Sequence, residues 1–195
     1  MIECVFMERL ILASASPQRT VLLERMGITF EVIPSNIDES LCVETDPIAR
    51  AKMLASMKAE FVAQKHPSAW VIGCDTLVVS SENELLEKPR DEEDARAMLG
   101  KQSGTISHVH SALSLLRGED DRYEGLSSSE VHFIELTQED IDWWINTGLW
   151  QGCSGAFQIE GPGERLFKAV IGDWAGVVGL PVDLLRKLMA EANIV

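Results

Sequence analysis

A serine-rich turn near the N-terminus carries residue types that can bind an anion. In LILASASPQRTVLLERMG, residues 10–27, an apolar strand runs through this turn into a helix. Ser14 and Ser16 offer hydroxyl donors, and Arg19 lies in the first helical turn. Unpaired N–H groups and a partial positive charge favour phosphate at a helix start. The turn therefore predicts a phosphate site, with an ordinary serine N-cap beside a surface arginine as the alternative.

Asp75 is the strongest single candidate for chemistry. We expect it at the end of the buried strand AWVIGC, where an unpaired charge is costly. Ligands of α/β sheets gather at the carboxyl ends of strands, so an aspartate there suits Mg²⁺ or acts as a general base. A turn-capping aspartate beside Thr76 is the alternative.

Three further charged residues become candidates only in combination with Asp75. Lys88, in EKPRDEED, would approach Asp75 if the SENE turn folds the chain back, and could pair with phosphate. Glu39, in the turn NIDES, could be a second metal ligand. Lys58 projects from a long helical segment. Taken alone, each of the three reads as a solvated surface residue.

Strand and helix patterns alternate along the chain and must position these residues. Helices are predicted over 17–26, 46–64 and 182–192 and within DEEDARAMLGK and TQEDIDWWINTG. Strands are predicted near 10–13, 30–34 and 166–171 and along AWVIGCDTLVVS. HVHSALSLLR and SSSEVHFIEL form a predicted hairpin whose turn is GEDDRYEG, residues 118–125. Crossover helices together with a hairpin predict an α/β or α+β fold with a mixed sheet.

Composition limits the class of protein. At 195 residues, 46% hydrophobic and 25% charged, the chain predicts a single domain, residues 1–195. No basic, apolar leader indicates a signal peptide, and no apolar run approaches the roughly 18 residues of a membrane span. Four scattered cysteines without a C-x-x-C motif predict reduced thiols in a cytoplasmic protein. Met7, followed by ERLILAS, is an alternative start, and residues 1–8 are predicted to form a short, frayed leader.

The net charge of −14 argues against duplex DNA or RNA as a partner, because proteins that bind duplexes usually present a basic face. An acidic protein can still bind a small polyphosphate if it gathers cations locally or uses a divalent metal ion. The positions of its few lysines and arginines are therefore informative.

Six short motifs, in order, resemble those of a known family. LILASASPxR, IDES, WVIGCDTLV, EKPRDEEDARAML, QSGTISHxHSAL and IxGDWAGVVGLPVDLL are similar to the motifs of the Maf family of nucleoside triphosphate pyrophosphatases. The resemblance covers residues 10–185. It implies an α/β fold, an elongated mixed β-sheet flanked by helices with a cleft between two lobes, similar to inosine triphosphatase-like enzymes. It also implies hydrolysis between the α and β phosphates with Mg²⁺ or Mn²⁺, and often a homodimer.

The resemblance assigns a role to each candidate. Ser14, Ser16 and Arg19 would hold the triphosphate together with Lys58 and Lys88. Asp75 matches the catalytic aspartate, as base or metal ligand, and Glu39 the acid of the family's D-E segment, as a further metal ligand.

Two departures from the family pattern bear on the substrate. Gln18 stands where the family usually has the first of two arginines, and Glu160 stands where many members have glutamine. A glutamate at position 160 resembles the corresponding residue in the branch of 7-methyl-GTP pyrophosphatases. This resemblance predicts a modified NTP, such as 7-methyl-GTP, as substrate. The alternatives are a pyrophosphatase that prefers dTTP or UTP, and a catalytically weak nucleotide-binding regulator linked to cell division.

Overall fold

The computed structural model describes residues 8–194. Of the expected leader, residues 1–7 lie outside this range, whereas Glu8 accepts a hydrogen bond from the Trp70 indole. The described residues form a seven-stranded mixed sheet in the order β2-β1-β3-β5-β6-β7, with β4 added to β3. The strands are β1 (Leu10–Leu12), β2 (Glu31–Val32), β3 (Trp70–Val79), β4 (Leu85–Leu86), β5 (Ile106–Arg117), β6 (Asp121–Phe133) and β7 (Phe167–Ile171).

Within residues 8–194, six α-helices flank this sheet, and most of the predicted helix starts are confirmed. The helices are α1 (Pro17–Glu24), α2 (Pro47–Ala63), α3 (Glu92–Gln102), α4 (Gln138–Thr147), α5 (Trp174–Val178) and α6 (Val182–Glu191). Thr137 begins α4 with a capping box to Asp140, and Asp46 caps α2. No helix in the described range is long and apolar enough to span a membrane.

Strand β3 is the centre of the sheet, and its pairing explains where Asp75 lies. On one side β1 pairs in parallel only with residues 70–72, and β4 pairs only with residues 78 and 79. On the other side β5 pairs with β3 from Val71 to Val79. The prediction that Asp75 ends its strand was therefore wrong, because antiparallel pairing with β5 extends β3 past it. Asp75 instead lies where one edge of β3 is open between β1 and β4.

The hairpin β5–β6 is longer than the sequence indicated. Its connection is residues 118–120, and β6 already begins at Asp121. Residues 121–125 belong to a strand because they pair with residues 113–117 of β5, and exposed and half-buried positions alternate along them. Tyr123 packs against Trp70 with ring centroids 5.9 Å apart, and Gly125 lies under Leu184 of α6. The sequence prediction assigned these residues to the turn because most of them are polar, and it missed the alternation that is typical of a strand.

The apolar core falls into groups at the two ends of the sheet. One group joins α3 and α4 to the distal half of β3, β5 and β6 and includes the fully buried Trp144. Two others cover opposite faces of β1 and the proximal half of β3 under α1, α6 and α2. The expected elongated mixed sheet with flanking helices is confirmed, and a cleft lies between the groups.

Candidate functional site

The cleft has a volume of about 1120 Å³ and is lined from both ends of the sheet. One side of the cleft is formed by the Ser14–Arg19 turn, the Glu39 loop and α2. The other side is formed by residues 151–160 and the chain after β4. Four cationic side chains line it, namely Arg19, Arg50, Lys58 and Lys88. Four acidic side chains do so as well, namely Glu39, Asp75, Glu87 and Glu160. All predicted site residues therefore line one cleft.

A buried lysine joins the two predicted carboxylates. Lys58 Nζ lies 2.5 Å from Asp75 Oδ1 and 2.9 Å from Glu39 Oε1. The side chains of Lys58 and Asp75 are only 10% and 6% exposed, so this ion pair is well shielded from water. The second oxygen, Asp75 Oδ2, is buried without a hydrogen-bond partner. An unpartnered buried carboxylate oxygen is costly and points to a missing ligand or proton.

Gly73 determines how closely helix α2 approaches β3. A Cβ at this position would lie 2.1 Å from the Ala55 carbonyl oxygen of α2, which no real side chain tolerates. Glycine therefore lets the helix backbone rest directly on the strand. Lys58, one turn further along α2, is thereby brought within reach of Asp75.

Glu39 begins a 3₁₀ turn, Glu39–Leu41, whose first residues are held by the Asp38 side chain on the Ser40 N–H. Partial burial acts to raise the pKa of Glu39. The hydrogen bond from Lys58, together with the charges of Lys58, Lys88 and Arg19, outweighs it and holds this pKa below its ordinary value. The Glu39 carboxylate is therefore ionised throughout the neutral range.

The serine turn is both a helix cap and a wall of the cleft. Ser16 Oγ accepts the Arg19 N–H and caps α1, and Ser14 Oγ accepts a hydrogen bond from Arg19 Nη1 at 3.1 Å. Arg19 Nε donates to the Gly179 carbonyl oxygen at 2.9 Å. Gln18 accepts a hydrogen bond from the Ser16 hydroxyl and so supports the turn. The two interpretations of this turn, cap and anion site, are thus compatible.

Arg19 is oriented by a network that reaches helix α5. Its Nη2 contacts Thr76 Oγ1 at 3.4 Å, and Thr76 shares a 2.8 Å hydrogen bond with Ser111. Ser111 in turn donates to the Gly176 carbonyl oxygen. The short helix α5, held at its start by Asp173, therefore helps to fix the guanidinium. N–H groups on both terminal nitrogens remain for a ligand.

The turn between β3 and β4 carries Lys88 to the cleft, as predicted. Val78 pairs with Leu86, so the chain after β4 runs back alongside the open edge of β3. Lys88 is exposed, and within residues 8–194 it makes no ion pair. Its charge reaches the cleft, since it contributes to lowering the pKa of Glu39.

Arg50 is a cleft residue that the sequence analysis missed. Its Nη1 donates to the carbonyl oxygens of Cys42 and Glu44, so it anchors the loop that follows Glu39. Its Nε is buried without a partner. The spacing contained a signal, because Arg50 lies eight residues before Lys58 and therefore on the same face of α2.

Across residues 8–194, no three His, Cys, Asp or Glu side chains are grouped so as to hold a metal ion by themselves. Lys58 lies between the two carboxylates predicted as metal ligands. The donor set nevertheless fits a hard cation in part, because Asp75 Oδ2 is free and Mg²⁺ commonly uses one or two carboxylates together with substrate phosphates.

Taken together, the fold and the cleft define an α/β protein with cations gathered around one buried aspartate. Comparison with known sequences identifies the family of this protein. The profile of the family described as Maf-like protein matches residues 9–192. The chain belongs to the Maf family.

Three relatives share the name dTTP/UTP pyrophosphatase. The protein from Symbiobacterium thermophilum is 38% identical over 95% of this chain and 94% of its own. Those from Pyrococcus furiosus and Geobacillus sp. are 37% and 39% identical, over 94% and 91% of this chain and 95% and 94% of theirs. Among solved structures, a HAM1 protein from Coxiella burnetii is 12% identical, covering 96% of this chain and all of its own, with a TM-score of 0.49.

Proposed function

We propose that this protein is a nucleoside triphosphate pyrophosphatase, which releases pyrophosphate and a nucleoside monophosphate. The observation that carries the proposal is the buried Asp75 carboxylate, one oxygen of which is free while cationic side chains surround it. Relatives at 37–39% identity named dTTP/UTP pyrophosphatase support the same activity.

The triphosphate would lie between the serine turn and Lys88. Arg19 and the α1 N-terminus supply N–H donors from one wall, and Ser14 and Ser16 lie beside them. Lys88 faces them from the other wall as a mobile point charge. Lys58 pairs with both Asp75 and Glu39 and offsets one of their two negative charges. These groups would stabilise negative charge on the pyrophosphate leaving group.

Asp75 Oδ2 is the atom to which we assign the chemistry at the α-phosphorus. It would either accept a proton from the attacking water or hold a divalent cation. Bound by Asp75, Glu39 and phosphate oxygens, Mg²⁺ or Mn²⁺ would supply Lewis acidity and charge neutralisation. The cleft charges support such a cation, because equal numbers of acidic and cationic side chains leave little net positive charge for a triphosphate.

For the base we propose a preference for dTTP or UTP, the alternative left open by the sequence. The three relatives described above carry this substrate in their names. Glu160 lines the cleft, so a different base preference, including 7-methyl-GTP, remains a specific outcome to be measured.

The test is pyrophosphate release, measured with Mg²⁺ or Mn²⁺ over dTTP, UTP, CTP, GTP, 7-methyl-GTP, 5-methyl-UTP and pseudo-UTP. We expect the highest kcat/KM with dTTP or UTP. A preference for 7-methyl-GTP would retain the enzyme and reject the pyrimidine preference. Nucleotide binding without pyrophosphate at any metal concentration would reject the enzyme in favour of a regulator.

Glu160→Gln tests how the cleft reads the base. If Glu160 contacts the base, exchanging a carboxylate for an amide adds donors and should change the ranking of substrates more than the rate with the best one. An unchanged ranking would make Glu160 a structural acid. Glu164→Gln, an exposed position four residues further along the chain and outside the cleft lining, is the matched control.

A further inference from the structure

The cleft wall formed by residues 151–160 has an unusual backbone. Gly155 and Ala156 both adopt left-handed conformations, with φ of 71° and 60°. Alanine rarely takes such values, and Ala156 is fully buried. Left-handed residues of this kind persist only where the surrounding structure holds them.

Gln102, the last residue of α3, is one of the groups that hold this backbone. Its side chain is fully buried, and Nε2 donates to the Gly155 carbonyl oxygen at 2.7 Å and to the Met98 carbonyl oxygen at 3.1 Å. Its Oε1 accepts the Ser107 hydroxyl at 3.0 Å. Every polar atom of the amide is thus used, and both acceptors of Nε2 are backbone carbonyls, so the orientation of the amide is fixed.

Gly155 and Ala156 are also hydrogen-bonded to other parts of the cleft. The Gly155 N–H donates to the carbonyl oxygen of Glu87, the residue before Lys88, at 3.1 Å. The buried Trp144 indole donates to the Ala156 carbonyl oxygen at 2.9 Å. Gly155 therefore links Gln102 on one side to the chain that carries Lys88 on the other.

We propose that Gln102 is a positioning residue of this cleft. It touches no substrate; through Gly155 it fixes the distance between the Lys88 chain and the wall that carries Glu160. The phosphate-binding lysine and the base-reading wall are thereby held as one unit. This inference rests on the proposed function for its catalytic consequence, whereas the anchoring of residues 151–160 can be measured without activity.

The experiment compares three variants with the wild-type chain. Gln102→Leu keeps the approximate volume but leaves the Gly155 carbonyl without its donor. Ser107→Ala is milder, since it removes only the hydroxyl that supports the amide. Ser114→Ala is the matched control, a buried serine on the same strand whose hydroxyl bonds Glu124 and not the cleft.

Two readouts are taken after circular dichroism has confirmed folding. The first is the alkylation rate of Cys153 by iodoacetamide, followed by mass spectrometry of its peptide, because Cys153 lies half-buried in this wall. The second is KM and kcat for pyrophosphate release from dTTP. We expect Gln102→Leu to raise both the alkylation rate and KM about tenfold, with a smaller change in kcat. Ser107→Ala should change them less, and Ser114→Ala should match the wild type.

Unchanged alkylation and KM in folded Gln102→Leu would overturn the inference, as would faster alkylation with an unchanged KM. If Gln102→Leu does not fold, Ser107→Ala decides by the same criteria. If the wild-type chain releases no pyrophosphate, the proposed function fails, and the Cys153 rates alone decide whether Gln102 anchors the wall.

Discussion

Asp75 combines two tasks in one carboxylate. Oδ1 is bound by Lys58, which makes the buried charge tolerable, while Oδ2 has no partner among the described residues. The paired oxygen serves the stability of the fold and the free oxygen is available for a ligand. An isosteric substitution keeps the shape of this side chain but removes the charge that pairs with Lys58, so stability and turnover have to be measured separately.

Asp75→Asn is expected to lower kcat by on the order of 10²-fold or more, because it removes a positioned base or metal ligand. Pyrophosphate release measures the effect, and thermal unfolding checks the fold. Asp183→Asn, a similar change at an exposed position in α6, should leave kcat unchanged. Near-normal turnover in Asp75→Asn would refute the assigned role.

Glu39 should make stability depend on pH in the acidic range. Its pKa in the folded chain lies below the ordinary value of 4.5, so folding favours the ionised form. Its contribution to stability is therefore complete above about pH 4.5 and is lost as pH falls through the lowered pKa. Urea unfolding should show wild type more stable than Glu39→Gln near neutral pH, with the difference shrinking below pH 4.5. A constant difference across this range would contradict the ion pair with Lys58.

At the scale of elements, the close packing of α2 on β3 decides whether Lys58 reaches Asp75. This close packing is possible because Gly73 has no side chain where the helix backbone passes. The position of α2 against β3 therefore determines whether the charge of Lys58 lies beside that of Asp75.

Gly73→Ala should lower the free energy of unfolding by about 1–3 kcal/mol or more, because its Cβ would meet the α2 backbone. Pyrophosphate release should fall as well, since a displaced α2 withdraws Lys58. Gly100→Ala is the control in α3, where a Cβ meets nothing within 4 Å. There we expect a gain of about 0.5–1 kcal/mol from helix propensity. Denaturant unfolding of both variants checks the pair, and equal effects would contradict the close packing at Gly73.

The sequence predicted which residues line the cleft better than how they meet. Asp75 was recognisable as the single acid in a buried apolar run, Lys88 by its position after a turn, and the serine turn by the helix that it begins. The Lys58 bridge was not, since it depends on tertiary packing across 17 residues. The position of Asp75 within β3 was missed for a related reason. An apolar run shows that a strand is buried, but not how far its antiparallel neighbour extends.

At the scale of the whole molecule, the cleft differs from the surface around it. The chain carries a net charge of −14, whereas the side chains lining the cleft are evenly divided in sign. Repulsion among the acidic surface side chains should therefore lower the free energy of unfolding at low ionic strength. The cleft, with its even balance of charges, should be affected less.

Salt should raise the melting temperature. Between 0.01 and 0.15 M salt the screening length falls from about 30 to about 8 Å, which weakens repulsion among acidic side chains. A gain of about 1 kcal/mol would raise Tm by roughly 2–4 °C for a chain of this size. Scanning calorimetry at the two salt concentrations measures it. A lower Tm in salt would show that attractive surface pairs outweigh the net charge.

The hydrogen bond from Arg19 to Gly179 joins residues 160 positions apart. By contrast, β5 and β6 are neighbours in sequence and can pair as soon as both exist, because short loops close at little entropic cost. During synthesis the chain emerges from its N-terminus, so the hairpin can form while the partner of Arg19 has not yet been translated. The cleft is therefore completed only after Gly179 has been translated, and a nascent chain that stops before Gly179 would contain Asp75 without an oriented arginine beside it.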